Sequence, residues 1–344
     1  MKKIIALVLA IAMLASFAAC GGSADAEYKL GMGVVVSLDE SKDATAQADA
    51  TVATVILDKD GKIVAADLDV AQTKVTAADV ADLSKVDVRT KTEKGADYGM
   101  VAAINYGMDW NGDGVVKEWD AQAAAFEAYV VGKTADEVSA IKTKEVEGKG
   151  YIIPDEEELL TAGCTIQISD FVAAIVKACK DDQAKTFTAA ADAFKLGLAV
   201  DTNVSGSTAE SAQLYSTFAA VAVDADGKVL AAIVDAIQPK VAFDADGNVG
   251  EKTFKDTKRV LKEDYNMKGV SASMGTIEGG AEWYEQAESF TNAMVGKTAA
   301  DITAIETEVK NDHNVAVDAE LYAGCTMDIT AFKADLAEAI GAAK

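Results

Sequence analysis

Residues 161–171 read TAGCTIQISDF, and residues 322–332 read YAGCTMDITAF. Ala-Gly-Cys-Thr, an alternating stretch and a Ser/Thr-x-Phe triplet recur 161 residues apart. Further anchors recur in the same order on the N-terminal side. Tyr28-Lys-Leu-Gly31 matches Phe194-Lys-Leu-Gly197, and Asp58-Lys-Asp-Gly-Lys-Ile63 matches Asp224-Ala-Asp-Gly-Lys-Val229. Asp97-Tyr-Gly-Met100 matches Asp264-Tyr-Asn-Met267, Glu118-Trp119 matches Glu282-Trp283, and Val131-Gly-Lys-Thr134 matches Val295-Gly-Lys-Thr298. All offsets lie between 161 and 167, which reads as one unit written twice. The units are assigned to 27–183 and 184–344, divided near Asp181–Ala190. Half of all residues are hydrophobic, enough for two cores of about 150 residues each.

The period of the apolar residues assigns the elements. Ala53–Leu57 and Ile63–Val70 are apolar and β-branched, with Asp58-Lys-Asp-Gly61 as turn chemistry between them, so they read as a hairpin. Phe218–Ala236 repeats the pattern. Trp119, Ala123, Phe126 and Val130 fall at helical spacing, as do Trp283, Ala287, Phe290 and Met294. Gly132 and Gly296 follow where a helix end favours positive φ. Thr134 with Glu137 forms a capping box for a short second helix. Ser169 and Thr330 are placed as N-caps of a terminal helix that buries Phe171, Ile175 and Ala178, or Phe332, Leu336 and Ile340. Each unit is thus strand, hairpin, further strand, helix, short helix, strand, helix. The expected class is α+β, two homologous tandem domains, each an antiparallel sheet packed with a few helices.

The first residues concern location. Lys2 and Lys3 precede an apolar run from Ile4 to about Leu14, too short to span ~30 Å of hydrocarbon, so 1–19 reads as a signal peptide. Phe17-Ala18-Ala19-Cys20 resembles the lipobox of bacterial lipoproteins, which implies that Cys20 is lipidated and that 20–26 is a tether. At ~0.8 kcal/mol per buried CH₂, two or three acyl chains would hold the protein on the membrane. The expected location is therefore the extracytoplasmic face of the cell membrane. Loss of the two leader lysines takes the formal charge from −24 to −26. A surface this acidic repels nucleic acid and attracts cations. The remaining Cys164, Cys179 and Cys325 are odd in number, so no disulfide framework is expected. Cys179 is assigned to the apolar face of the terminal helix with Phe171 and Ile175.

Nucleophilic catalysis has little to draw on. The one histidine, His313, is placed in the polar loop Lys310–Asn314 and has no counterpart in the first unit. Val131-Gly-Lys-Thr134 lacks the first glycine of a P-loop, where Glu127 stands. The spacing Ser139-x-x-Lys142 has no companion motifs. A sharper signal is Asp109-Trp-Asn-Gly-Asp-Gly-Val-Val-Lys-Glu-Trp-Asp120. It offers Asp109, Asn111, Asp113, the Val115 carbonyl and Asp120 at the loop positions of an EF-hand, and with Asp at position 12 it most resembles dockerin-type calcium loops. The second unit has no such ligand set, so one calcium ion is expected, fixing the start of the Trp119 helix. A solvated acidic turn is the other reading.

The order of elements, ending in Gly-x-Thr before a terminal helix, resembles the FMN-binding domain of the Rnf and Nqr electron-transport complexes. That family's signature is Asp-x-x-Ser-Gly-Ala-Thr, whose threonine can be esterified to the FMN phosphate. Gly163 and Gly324 fall on its glycine, and Thr165 and Thr326 on its acceptor threonine. Leu159 and Glu320 stand at the Asp position, Ala162 and Ala323 at Ser, and Cys164 and Cys325 at Ala. The resemblance implies FMN at Gly163, Thr165, Gly324 and Thr326, and the missing Asp and Ser imply that it is held without a covalent ester. Without the resemblance, Gly-Cys-Thr reads as a tight strand-to-helix approach that admits only small residues. The expectation is a surface lipoprotein acting as a binding or carrier module, with flavin or electron transfer as the implied chemistry and no catalysis. Its partners are the membrane through the anchor, and an unidentified small molecule or envelope protein. The alternative is a structural or adhesive envelope lipoprotein without a small-molecule ligand.

Overall fold

Runs such as Thr51–Leu57 and Ser216–Val223 are apolar on both faces, and strands of that kind must be covered twice. The computed structural model describes residues 25–102, 116–148 and 150–344 and shows both covers. The first half runs β1 (Ala26–Ser37), β2 (Thr45–Leu57), β3 (Ile63–Thr76), α1 (Lys91–Lys94), α2 (Trp119–Val130), α3 (Ala135–Ser139), β4 (Thr143–Val146), β5 (Tyr151–Pro154), α4 (Glu157–Thr161) and α5 (Ser169–Cys179). The second half runs β6 (Lys185–Ala189), β7 (Lys195–Asn203), β8 (Ser211–Gln213), β9 (Tyr215–Val223), β10 (Val229–Ile237), β11 (Lys240–Phe243) and β12 (Val249–Thr253). It continues with α6 (Lys258–Leu261), α7 (Lys268–Ser273), α8 (Trp283–Met294), α9 (Ala299–Thr303), β13 (Thr307–Lys310), β14 (His313–Ala316), α10 (Ala319–Gly324) and α11 (Thr330–Ala342). The class is mixed α+β, with helices packed on antiparallel sheets. No helix among the described residues is long and apolar enough to cross a membrane.

Side-chain alternation sorts the strands into layers. In β2, Ala53, Val55 and Leu57 face α2 and α5, while Val52 and Ile56 face the other way. In β9, Ala219, Val221 and Val223 face α8 and α11, while Phe218, Ala220 and Ala222 face the first half. The sheet β3-β2-β1-β6 therefore packs on the sheet β10-β9-β7, with a helix layer outside each. β6 crosses the sequence boundary: it belongs to the second half but pairs with β1, Phe187 opposite Tyr28. The chain between the halves is clamped as well. Arg259 Nη1 lies 2.9 Å from Asp181 Oδ2, both side chains almost wholly buried, and Asp181 Oδ2 also accepts the Met32 N–H at 3.1 Å.

Local chemistry explains the repeated anchors. Asp58 and Asp224 each accept two backbone N–H groups on Oδ1 at 2.9 Å, closing the hairpin turns, and Gly61 and Gly227 supply the positive φ of +75° and +73°. Gly31 and Gly197 lie beneath the terminal helices. A Cβ at either position would collide with the carbonyl oxygen of Ala178 in α5 or Ala339 in α11. The Lys-Leu-Gly motif is thus a helix-on-strand contact at backbone range.

Several expectations change. Ser169 and Thr330 are the first helical residues, with Ile168 and Ile329 at the cap positions and no side-chain cap. Both isoleucines are fully buried, so apolar packing fixes where the helix begins. The single strand expected before each terminal helix is a hairpin, β4–β5 and β13–β14. His313 consequently opens β14 instead of lying in a loop. Cys179 is half-buried at the edge of the core. The capping box of Thr134 and Glu137 is present, and Gly132 and Gly296 adopt φ of +82° and +80°.

Candidate functional site

Each half holds a pocket beside its repeated Glu-Trp pair, and both walls include corresponding residues. In the second half, Lys258, Tyr265, Met267, Trp283 and Phe332 line a cavity of about 370 Å³. In the first, Lys91, Tyr98, Met100, Trp119 and Phe171 line one of about 920 Å³. The offsets are 167, 167, 167, 164 and 161, those of the sequence repeat.

Three polar devices hold each pocket in shape. The first carries the lysine. Asp69 Oδ1 accepts the Val70 and Thr92 N–H groups at 2.6 and 3.2 Å, and Asp235 Oδ1 accepts those of Ala236 and Arg259 at 2.7 and 3.0 Å. Each carboxylate so ties α1 or α6, and its lysine, to the sheet. Burial pushes the Asp235 carboxyl up to about 6, against the pull of Arg259. The second device carries the tyrosine and methionine. Glu118 Oε2 accepts the Met100 N–H at 2.9 Å, and Glu282 Oε2 accepts the Met267 N–H at 2.7 Å. The glutamate of Glu-Trp therefore draws the Tyr-x-Met turn against the tryptophan.

The third device accounts for the threonine of Gly-Cys-Thr. Gln122 and Gln286, three residues after each tryptophan, are fully buried. Gln122 Oε1 accepts the Thr165 N–H at 2.8 Å, and Gln286 Oε1 accepts the Thr326 N–H and hydroxyl at 2.9 and 3.0 Å. Their amide groups donate to Lys117 O at 2.8 Å and Ala281 O at 3.2 Å. A buried glutamine satisfied at both ends staples the tryptophan helix to the segment entering α5 or α11. Thr165 and Thr326 are 3% and 4% exposed, with Thr326 at the wall of the second pocket. Gly163 has φ +81° and faces Lys117, and a Cβ on Gly324 would collide with Ser289. Cys164 and Cys325 lie in the helix–sheet cores, where burial pushes both thiols up to about 12, far from reactivity at neutral pH.

The rings converge on the lysines. Lys91 Nζ lies 5.1 Å from the Tyr98 ring centre and 5.6 Å from that of Trp119. Lys258 Nζ lies 4.8 Å from Tyr215, 5.2 Å from Tyr265 and 5.8 Å from Trp283. Trp119 meets Phe171 edge-on at 5.6 Å, and Trp283 meets Phe332 at 5.8 Å. Burial pushes the Lys258 ammonium down to about 8, with the Asp235 carboxylate working against it. The electrostatics of the two pockets differ. The first is also lined by Asp39, Glu40, Asp49 and Asp170, the second by Asp328 and His313. Strand register puts Asp49 of β2 where β9 has Tyr215.

Of the residues singled out in the sequence, Cys20, Asp109, Asn111, Asp113 and Val115 lie outside the described residues. Asp120 is exposed in the first turn of α2. The lysines, the glutamines, Tyr215, Asp69 and Asp235 are not singled out by the motifs, and Tyr98 and Tyr265 enter only through the repeated Asp-Tyr-x-Met anchors. Their signal is positional: Thr90-Lys91 and Thr257-Lys258, like Gln122 and Gln286, obey the offsets of the repeat. No family model matches the chain, and no curated protein or solved structure shows significant similarity to it.

Proposed function

We propose that the chain is an extracytoplasmic lipoprotein, anchored through Cys20, that binds planar and largely apolar ligands without a covalent bond in the pockets beside Trp119 and Trp283. The observation that carries this reading is the recurrence of one Lys-Tyr-Met-Trp-Phe wall in both halves. A packing core needs no lysine among its rings, and a cavity of 370 Å³ is of ligand size. Flavins are the candidates named by the sequence resemblance. A phosphate ester at Thr165 or Thr326 is disfavoured, because both hydroxyls are buried and both residues are tied to glutamine. The surrounding acidity adds to that.

The test is calorimetric titration of the detergent-solubilised full chain with FMN and riboflavin, alongside an absorbance spectrum of protein taken from its own membrane. Saturable binding is expected, weakened about ten-fold, or ~1.4 kcal/mol, by Trp119→Ala or Trp283→Ala. Absence of heat with either flavin, and with simple naphthalenes, would return the protein to the structural or adhesive class. Anchoring has its own test: Cys20→Ala is expected to release the chain from membranes under a high-salt wash, and continued pelleting would refute it.

A further inference from the structure

Resting on that reading, we infer that the second pocket selects aromatic carboxylates, with Lys258 supplying the counter-charge, whereas the first pocket does not. Lys258 is only 9% exposed. Its hydrogen bond is a long one, 3.5 Å to Tyr215 Oη, and among the described residues no carboxylate lies within ion-pair distance of Nζ. A buried ammonium without a close counter-ion is costly, and an anion brought by a ligand offsets that cost. Charge-assisted hydrogen bonds are also the strong ones.

The other charged groups around the pocket leave this role open. Asp235, whose charge acts on Lys258, is committed through Oδ1 to two backbone N–H groups. Asp328 is committed through Oδ2 to Asn314 and through Oδ1 to the Thr330 N–H. The aromatic body would lie along the apolar wall formed by Met267, Val270, Met274 and Phe332. In the first pocket the corresponding Lys91 shares its walls with Asp49 and Asp170, which already oppose its charge and repel an anion. The Asp49/Tyr215 and Asp170/Ala331 differences separate the two specificities.

The experiment compares 2-naphthoate with its neutral isostere 2-naphthamide, titrated into the full chain at pH 7. Naphthoate is expected to bind at least ten-fold more tightly, at one site per chain. Lys258→Met is expected to abolish that preference, and Lys258→Arg to retain most of it. Equal affinity of acid and amide in the unaltered protein overturns the inference while leaving the binding reading standing. So does a preference that survives Lys258→Met. Failure of both probes to bind overturns the inference, and the reading beneath it falls as well if the flavins also fail to bind. If Lys258→Met does not fold, the acid-to-amide ratio of the unaltered chain decides alone.

Discussion

The two halves place the same wall of residues around a pocket and then diverge at several places. Tyr215 and Ala331 stand where the first half has Asp49 and Asp170, Asp335 stands where it has Ala174, and the acidic loop before Trp119 has no counterpart before Trp283. What they share is scaffold: the Asp-Gly turn, the glycine under the terminal helix, the carboxylate clamps and the glutamine staple. What differs is charge. The same frame thus carries two pockets of unlike electrostatics, and each divergence can be tested against its partner position.

The largest effect is expected where the halves agree. Gly31→Ala and Gly197→Ala force a methyl group against the carbonyl of Ala178 or Ala339, which helix and strand can relieve only by separating. Each should cost roughly 3 kcal/mol, seen as a lower urea midpoint at unchanged slope. Losses below ~0.5 kcal/mol would mean that the helices are not seated on the strands at backbone range. A loss in only one half would break the equivalence of the frames.

Next comes Asp335. It is 2% exposed, its Oδ2 has no hydrogen-bond partner, and 161 residues earlier the chain has Ala174. Burial pushes its carboxyl up to about 7, opposed by the Thr217 hydroxyl and reinforced by Asp201 and Glu338. The folded chain therefore holds a proton that the unfolded chain, with an ordinary aspartate near 3.9, releases. Stability from this group is complete below about pH 4 and is lost as the pH rises to about 7. Asp335→Asn should match the parent near pH 4 and exceed it at pH 8 by on the order of 4 kcal/mol. Denaturant melts at the two pH values check this, and an unchanged difference between parent and variant would refute it.

Much of this frame was legible in the sequence. The Asp-Gly turns, the helix of Trp119, the capping box of Thr134 and the α+β class follow from local chemistry that needs no tertiary knowledge. The terminal-helix start was misplaced by one residue, because buried Ile168 and Ile329 decided it instead of a hydroxyl. The inter-sheet core was missed for a different reason. Ala53–Leu57 reads as one strand of a hairpin, and that reading does not ask how many of its faces are covered, yet the apolar residues of Thr51–Leu57 occupy both alternations, the mark of a strand covered twice. Pairing of β6 with β1 depends on how the halves dock, which no local pattern encodes. The pockets lay between the two cases: the lysines and glutamines obey the repeat, but only their convergence on the rings gives them meaning.

The smallest expected effect belongs to the acidic loop, and it should act on one half alone. Asp109, Asn111 and Asp113 crowd oxygen ligands that a hard cation would reconcile, and Asp120, exposed in the first turn of α2, stands at the closing position. An extracellular module of this kind binds calcium at ~10⁻⁴–10⁻³ M. At 10 mM calcium a site at the weak end of that range would add about 1.4 kcal/mol, a rise of roughly 2 °C in Tm for a chain of this size. Because Asp120 follows Trp119 directly, the ion would also steady the wall of the first pocket and leave that of the second untouched. Calcium should therefore tighten ligand binding that depends on Trp119 and not binding that depends on Trp283, and Asp113→Ala should remove both the thermal shift and the tightening. Equal shifts in parent and variant would show calcium acting elsewhere on an acidic surface, and the charge difference between the two halves would then rest on Tyr215, Ala331 and Asp335 and their counterparts Asp49, Asp170 and Ala174.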